Sequence, residues 1–152
     1  MPRTKRVEFP GAHGHALAAR LELPAGTPSA FALFAHCFTC SKDYKAVVRI
    51  CRELAADGVA VCRFDFTGLG ESKGEFAETN FSSNLEDLYA AAEFLRREYK
   101  PPRLLIGHSL GGAAMLAAAA SIPEARAVVT IAAPSDTEHL VSRLQTMAPE
   151  LE

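Results

Sequence analysis

The sequence has little excess of charge of either sign and no long apolar segment. Its 152 residues carry 16 Lys and Arg against 18 Asp and Glu, which gives a formal net charge of -2. Nucleic-acid binding requires a clustered excess of basic side chains, so this balance argues against a nucleic-acid partner. The longest stretch of small and apolar residues, 113–120, is shorter than the ~18 residues of a membrane helix, so we expect no membrane partner.

A secretory signal, internal repeats and an interdomain linker are also missing. The basic start, with Arg3, Lys5 and Arg6, is not followed by an apolar segment, which a secretory signal requires. Together with the lack of a membrane helix, this predicts a cytoplasmic location. The length lies within the roughly 100 to 200 residues of a single domain, so we expect residues 1–152 to form one domain.

Cysteine is scarce: the four residues, all in the first half of the chain, are Cys37, Cys40, Cys51 and Cys62. In a cytosolic protein of this size we expect them to be reduced rather than disulfide-bonded. Cys51 falls on a helical pattern and Cys62 inside a predicted strand. At such positions cysteine usually behaves as a small buried apolar residue.

What is present is an alternation of apolar strand patterns with amphipathic helix patterns. This alternation is typical of a parallel α/β sheet, and we expect a three-layer α/β/α sandwich with about six strands. The predicted strands cover residues 7–9, 16–23, 31–35, 59–64, 103–107 and 127–132. Helices are predicted from an N-cap at Ser41, from a capping box of Ser83 and Glu86, and over residues 110–121, with a last amphipathic helix over 135–152.

The segment Gly107-His108-Ser109-Leu110-Gly111 lies between a predicted strand and a predicted helix. A Gly-x-Ser-x-Gly turn in this context exposes the serine hydroxyl at the carboxyl edge of the sheet, and its glycines remove side chains that would collide. The backbone N–H of Leu110 then points at an oxyanion formed beside Ser109. His108 is expected to pack under the turn. The alternative is an ordinary glycine-rich turn with an inert serine.

A second oxyanion donor is expected from the loop after an earlier strand. His36-Cys37-Phe38 resembles the His-Gly-x turn of many α/β-hydrolases, with Cys37 in place of the glycine. By that match the N–H of Phe38 is the second donor, supported by His36 and Cys37.

Cys37 and Cys40 have the Cys-x-x-Cys spacing of redox motifs, next to the predicted helix start at Ser41. A thiol redox module is therefore an alternative function for this chain. No second ligand pair has suitable spacing for a metal, so we expect no metal and no cofactor.

Four segments together resemble the hydrolase half of bifunctional α/β-hydrolase/OsmC-family proteins. They are residues 36–43, 63–72, 79–84 and 106–113, and the resemblance extends from about residue 7 to about residue 144. It implies a serine hydrolase that acts on small-molecule esters, thioesters or acyl peptides, related to the serine aminopeptidases and followed by an OsmC-like domain. Asp65, in the second segment, would support the floor of the site.

The family pattern continues through two further strands that carry the triad acid and then the histidine. We therefore expect an incomplete α/β-hydrolase fold, in which the last strands, the lid and any OsmC-like domain are missing. Asp136 and His139 follow Ser109 in the family order of acid and base. Their short separation favours the alternative, in which Asp136 caps the last helix and His139 is solvated.

The strand over residues 127–132 would then be an open apolar edge. Such edges tend to pair, so a homodimer or another edge-strand partner is expected. A catalytically silent scaffold that binds a partner through this edge is the remaining alternative function.

Overall fold

The computed structural model describes residues 1–136 and residue 138. The strands and α-helices, in chain order, are β1 (Arg3–Pro10), β2 (Ala16–Leu23), β3 (Ala30–Ala35), α1 (Lys45–Ala56), β4 (Val59–Phe64), α2 (Phe81–Glu98), β5 (Leu104–His108), α3 (Leu110–Ala118) and β6 (Ala127–Ile131). Short 3-10 turns cover Phe76–Glu78 and Ala119–Ser121. No helix in the described part of the chain is both long enough and apolar enough to cross a membrane.

The six strands form one sheet in the order β1-β2-β4-β3-β5-β6. β1 and β2 pair with each other in antiparallel fashion, and β2 runs antiparallel to β4. The pairs β3–β4, β3–β5 and β5–β6 are parallel. The expected mostly parallel sheet of six strands is confirmed.

Helices cover both faces of the sheet, because its central strands are apolar on both sides. α1 packs on one face, where Val47 and Cys51 join Phe34 and Val61 in a small core. α2 and α3 share the opposite face with a larger core that includes Leu88 and Met115. This arrangement confirms the three-layer sandwich, and it places the ends of β3, β4 and β5 together at one edge of the sheet.

Two predicted helix starts are wrong, because a nearby residue provides the turn or the cap. Ser41 does not cap α1: its carbonyl accepts a hydrogen bond from the N–H of Tyr44 (3.1 Å), and the helix begins only at Lys45. α2 begins at Phe81, since Asn80 caps it by accepting a hydrogen bond from the N–H of Ser83 at 2.9 Å. Ser83 is therefore the third residue of the helix and not its cap.

Candidate active site

Ser109 occupies a tight turn between β5 and α3. Its backbone has φ 55 and ψ -125, a region that residues with a side chain rarely adopt. The turn is fixed from both sides: the N–H of Ser109 donates to the carbonyl of Ile131 (2.8 Å), and the N–H of Gly112 donates to the carbonyl of Ser109 (2.9 Å). The serine therefore sits between the carboxyl end of a buried strand and the amino end of a helix.

The two glycines of the motif are required by close backbone contacts. A Cβ atom on Gly107 would lie 2.3 Å from the carbonyl oxygen of Gly111. A Cβ on Gly111 would lie 2.4 Å from the carbonyl oxygen of His36. Because the second contact reaches the loop after β3, the small residues of the motif also bring that loop close to the Ser109 turn.

The loop after β3 begins with His36, whose side chain is fully buried. Its Nδ1 lies 2.5 Å from the carbonyl oxygen of Cys37, and since a carbonyl only accepts, Nδ1 carries the proton. Nε2 has no hydrogen-bond partner among the described residues and lies 3.6 Å from a carboxylate oxygen of Asp65. Burial lowers the pKa of His36, so the ring is a neutral brace for the loop.

Phe38 and Leu110, the two predicted oxyanion donors, lie in this loop and at the start of α3. Leu110 is the first residue of α3, so its N–H has no acceptor within the helix. The ring of Phe38 packs edge-on against two other rings. Its centroid lies 5.0 Å from that of Phe66 and 5.9 Å from that of Phe76. These aromatic contacts fix the side chain of Phe38 and with it the course of the loop.

Cys37 and Cys40 are joined by a disulfide, so the expectation of four reduced cysteines is wrong for this pair. The reason is the turn between them: the N–H of Cys40 donates to the carbonyl of Cys37 (3.1 Å), and the two Cα atoms are 5.2 Å apart, as a disulfide requires. Cys51 and Cys62 are free and buried, and burial raises the pKa of each thiol to about 12. Because α1 begins only at Lys45, the pair does not lie at a helix N-terminus, where the redox alternative would place it.

Asp65 is the centre of a buried polar cluster beneath the same edge of the sheet. One carboxylate oxygen accepts from the backbone N–H of Lys42 (2.7 Å), and the other accepts from Lys42 Nζ (2.7 Å) and from the N–H of Glu71 (2.9 Å). The side chain of Lys42 is fully buried and also donates to Asp43 (2.9 Å) and Glu71 (2.8 Å). Burial lowers the pKa of Lys42, but these hydrogen bonds outweigh it and the net pKa is raised.

Lys42 and a second buried pair next to it are not among the residues predicted for the site. Arg63 of β4 donates to Glu22 of β2 (2.8 Å), to the carbonyl of Lys42 (2.6 Å) and to Asp43 (2.7 Å). A visible signal was Arg63 itself, a charged residue inside an otherwise apolar strand. Buried charges are rare unless they are paired, so such a residue indicates a partner elsewhere in the fold.

Asp136 and His139, the candidates for acid and base, lie at the end of the described chain. Asp136 is exposed, and one carboxylate oxygen accepts from the N–H of Glu138 at 2.9 Å. His139 lies outside the described residues. Within residues 1–136 and 138, no histidine donates to or accepts from the Ser109 hydroxyl.

His108, the residue before Ser109, is half-buried. One ring nitrogen and the sulfur atoms of Cys37 and Cys40 all lie within 4.8 Å of one another. Only a packing role is predicted for His108 from the sequence, because its proximity to the cysteines depends on the pairing of β5 with β3.

Comparison with known families gives one match that covers most of the chain. Residues 28–151 match the serine aminopeptidase (S33) family. Among curated proteins, the chain is similar to palmitoyl-protein thioesterase ABHD10, mitochondrial, of Rattus norvegicus, with 30% identity over 111 residues, and of Homo sapiens, with 34% identity over 107 residues. These matches cover 73% and 70% of this chain but 35% and 32% of the relatives, so the chain spans about a third of their length.

Solved structures show the same similarity in three dimensions. The esterase domain from a Rhodothermus marinus protein has 56% identity and a TM-score of 0.75, and the match covers 91% of this chain and 56% of that one. A lidless α/β serine hydrolase from Xanthomonas campestris has 27% identity and a TM-score of 0.78, covering 89% and 63%. An esterase from Pyrococcus furiosus, at 20% identity, has a TM-score of 0.84 over 99% of this chain and 60% of its own. The predicted α/β-hydrolase fold is confirmed.

Proposed function

This chain belongs to the serine aminopeptidase (S33) family, and from that premise we propose that it is a serine hydrolase with Ser109 as its nucleophile. The main support is the backbone of Ser109, which has φ 55 at the junction of a buried strand and a helix. A residue with a side chain is held in such a conformation only where the surrounding structure imposes it, and such strain clusters at active sites. In an inert turn, glycine would adopt this conformation without strain, so nothing would favour a serine at this position.

In the proposed reaction the Ser109 oxygen attacks the carbonyl carbon of an ester or thioester. The N–H groups of Leu110 and Phe38 stabilise the negative charge that forms on the carbonyl oxygen. The alcohol or thiol then leaves, the acyl group remains on Ser109, and water releases it as a carboxylic acid. His36, Cys37 and the Asp65 cluster act as supports that position the loop after β3.

We assign Asp136 to the start of the following segment and not to the triad. Its contact with the N–H of Glu138 is the local interaction expected of a capping residue. Asp136 and His139 are also only three positions apart, which disfavours a triad in which the imidazole of His139 lies between the Asp136 carboxylate and the Ser109 hydroxyl.

The relatives support the substrate class. The rat and human relatives are thioesterases by name, and the Rhodothermus relative is an esterase domain. We propose that this chain acts on small-molecule esters or thioesters, without a nucleic-acid or membrane partner. The OsmC-like domain, the homodimer and the cytoplasmic location stay predictions, and the curated relatives named above are mitochondrial proteins.

A fluorophosphonate probe tests the nucleophile directly, because it forms a bond only with an activated serine. We expect labelling of the wild-type chain, loss of labelling in Ser109→Ala, and unchanged labelling in Ser82→Ala, whose serine is exposed on α2. Mass spectrometry of the labelled peptide locates the adduct. Absence of labelling in a chain with native circular dichroism would overturn the enzyme proposal and favour the silent scaffold.

The same probe tests the assignment of Asp136 and His139. We expect the labelling rate of His139→Ala to stay within about 2-fold of wild type, since removal of a true triad histidine costs orders of magnitude. A labelling rate lowered by 100-fold or more would instead show that His139 is the base, with Asp136 as its partner.

A further inference from the structure

Three side chains with soft or borderline donor atoms converge beside the Ser109 turn. They are Cys37 and Cys40 from the loop after β3 and His108 from the end of β5, and one ligand atom from each lies within 4.8 Å of the others. Around a tetrahedral Zn²⁺ ion, sulfur and nitrogen ligands lie roughly 3.6 Å apart. In the disulfide form the two sulfurs are bonded to each other, so after reduction they must move apart to about this separation before the three atoms can share one ion.

The backbone already holds these residues in place. Cys37 and Cys40 flank a turn closed by a 3.1 Å hydrogen bond, and the carbonyl of Cys37 also accepts from His36 Nδ1. His108 pairs with Ile131 in the β5–β6 ladder, and the N–H of the next residue donates to the carbonyl of Ile131. Ligands that the backbone already holds in place lose little entropy when an ion binds.

The ligand set is suitable for zinc. Two thiolates at Cys-x-x-Cys spacing with one imidazole are a common zinc combination. Three protein ligands leave the fourth position open to water, as in catalytic and exchangeable sites rather than closed structural ones. His108 and Cys40 are half-buried rather than sealed, so an ion has access from solvent.

We propose that Cys37, Cys40 and His108 form a redox-gated site for Zn²⁺, and that its occupation inhibits the hydrolase. In the disulfide form the sulfurs are not available as thiolates. A dithiol reductant breaks the S–S bond by supplying two electrons and two protons, and is itself oxidised to a disulfide. Zn²⁺ then displaces the two thiol protons and binds both thiolates and the His108 imidazole.

Inhibition rests on the proposed function of Ser109. His108 immediately precedes the proposed nucleophile, and Cys37 immediately precedes Phe38, the proposed oxyanion donor. An ion bound to both segments would hold the serine turn and the oxyanion loop in one fixed arrangement. The site thus couples the thiol state and the available zinc to the activity.

Cobalt(II) is the direct probe of the site, because thiolate coordination gives it intense absorption that does not depend on catalysis. We expect the reduced chain to bind one Co²⁺ with thiolate charge-transfer bands, Zn²⁺ to displace it, and the disulfide form to show no bands. His108→Gln and Cys40→Ser should weaken binding by at least about 10-fold. His13→Gln and Cys51→Ala are the matched controls, with an exposed histidine and a buried free thiol.

Equal Co²⁺ binding by the disulfide form, or by His108→Gln, would overturn the site. The second measurement is the rate of fluorophosphonate labelling of the reduced chain with and without Zn²⁺, which we expect Zn²⁺ to slow by at least 10-fold in wild type but not in His108→Gln. Unchanged labelling with Zn²⁺ bound would overturn the inhibitory role. If the chain labels under no condition, the hydrolase proposal fails, while the cobalt spectra still decide the metal site.

Discussion

β3 and β6 flank β5 in the sheet, and they differ in burial far more than in sequence. Both pair with β5 in parallel fashion, and both are dominated by apolar residues, AFALFA in β3 and AVVTI in β6. Five of the six residues of β3 are buried, whereas no residue of β6 is buried and Val129 is 45% exposed. The Ser109 turn therefore has a closed flank towards β3 and β4 and an open flank towards β6.

The difference shows that burial depends on the neighbours of a strand more than on its composition. β3 has β4 on its other side, and the clusters around Arg63, in β4, and Asp65, directly after it, close the end of the sheet. In the described part of the chain, β6 pairs with β5 alone. The loop that carries Phe38 should consequently be the stiffer side of the site.

The largest expected loss of stability comes from removing a buried charge on the closed flank. Lys42→Met leaves the carboxylate of Asp65 without its buried ammonium partner, and the loss of one member of such a pair costs about 3–5 kcal/mol. Lys45→Met, at an exposed position in the first turn of α1, is the control and should change stability by less than about 0.5 kcal/mol. Urea unfolding followed by circular dichroism measures both. Similar losses in the two variants would contradict the role of Lys42.

A pair of identical substitutions compares the two flanks directly. Val61 of β4 is fully buried and Val129 of β6 is largely exposed. Val61→Ala should cost about 2 kcal/mol, because it removes methyl groups from a packed core, and Val129→Ala less than about 0.5 kcal/mol. Equal costs in chemical unfolding would mean that the edge at β6 is covered in solution.

Substitution at the turn itself should have an effect of the opposite sign. Because Ser109 has φ 55, Ser109→Gly relieves backbone strain of about 1–3 kcal/mol and should raise the free energy of unfolding by about 1 kcal/mol after the entropy of glycine is subtracted. Ser82→Gly, on the exposed face of α2, should lower it by 0.5–1 kcal/mol. A loss of stability in both variants would show that the turn is unstrained.

The smallest expected effect is on the pH dependence of stability, through Asp43 on the closed flank. Burial raises the pKa of Asp43, but hydrogen bonds from Lys42 and Arg63 outweigh it and hold the pKa below its ordinary value of 3.8. The stabilisation by these contacts is therefore present above pH 3.8 and is lost as the pH falls through the lowered value. Asp43→Asn should make the acid-induced loss of stability shallower, and Asp57→Asn, at the end of α1, is the control. An unchanged acid profile in Asp43→Asn would contradict the ion pair.

The features predicted correctly from the sequence are those that depend on residues close together in the chain. The bounds of β2 and β4 follow from apolar patterns between turn residues and are correct. The position of the Ser109 turn was also predictable, because its two glycines are needed within the same five residues. Helix starts were less predictable, since Asn80 and Ser83 are both capable caps and only the backbone at Asn80 has the extended conformation of a cap.

By itself, therefore, the sequence determined the layered α/β fold, the strand-to-helix turn at Ser109 and the loop that faces it, because local periodicity and local sterics specify them. Only the tertiary structure decided that Lys42 is buried against Asp65, that Cys37 and Cys40 are bonded and lie beside His108, and that β6 is open while β3 is closed. Apart from the bond between Cys37 and Cys40, which a local turn brings together, each of these outcomes joins residues that are distant in the chain. The strand order brings them together, and no local pattern encodes that order.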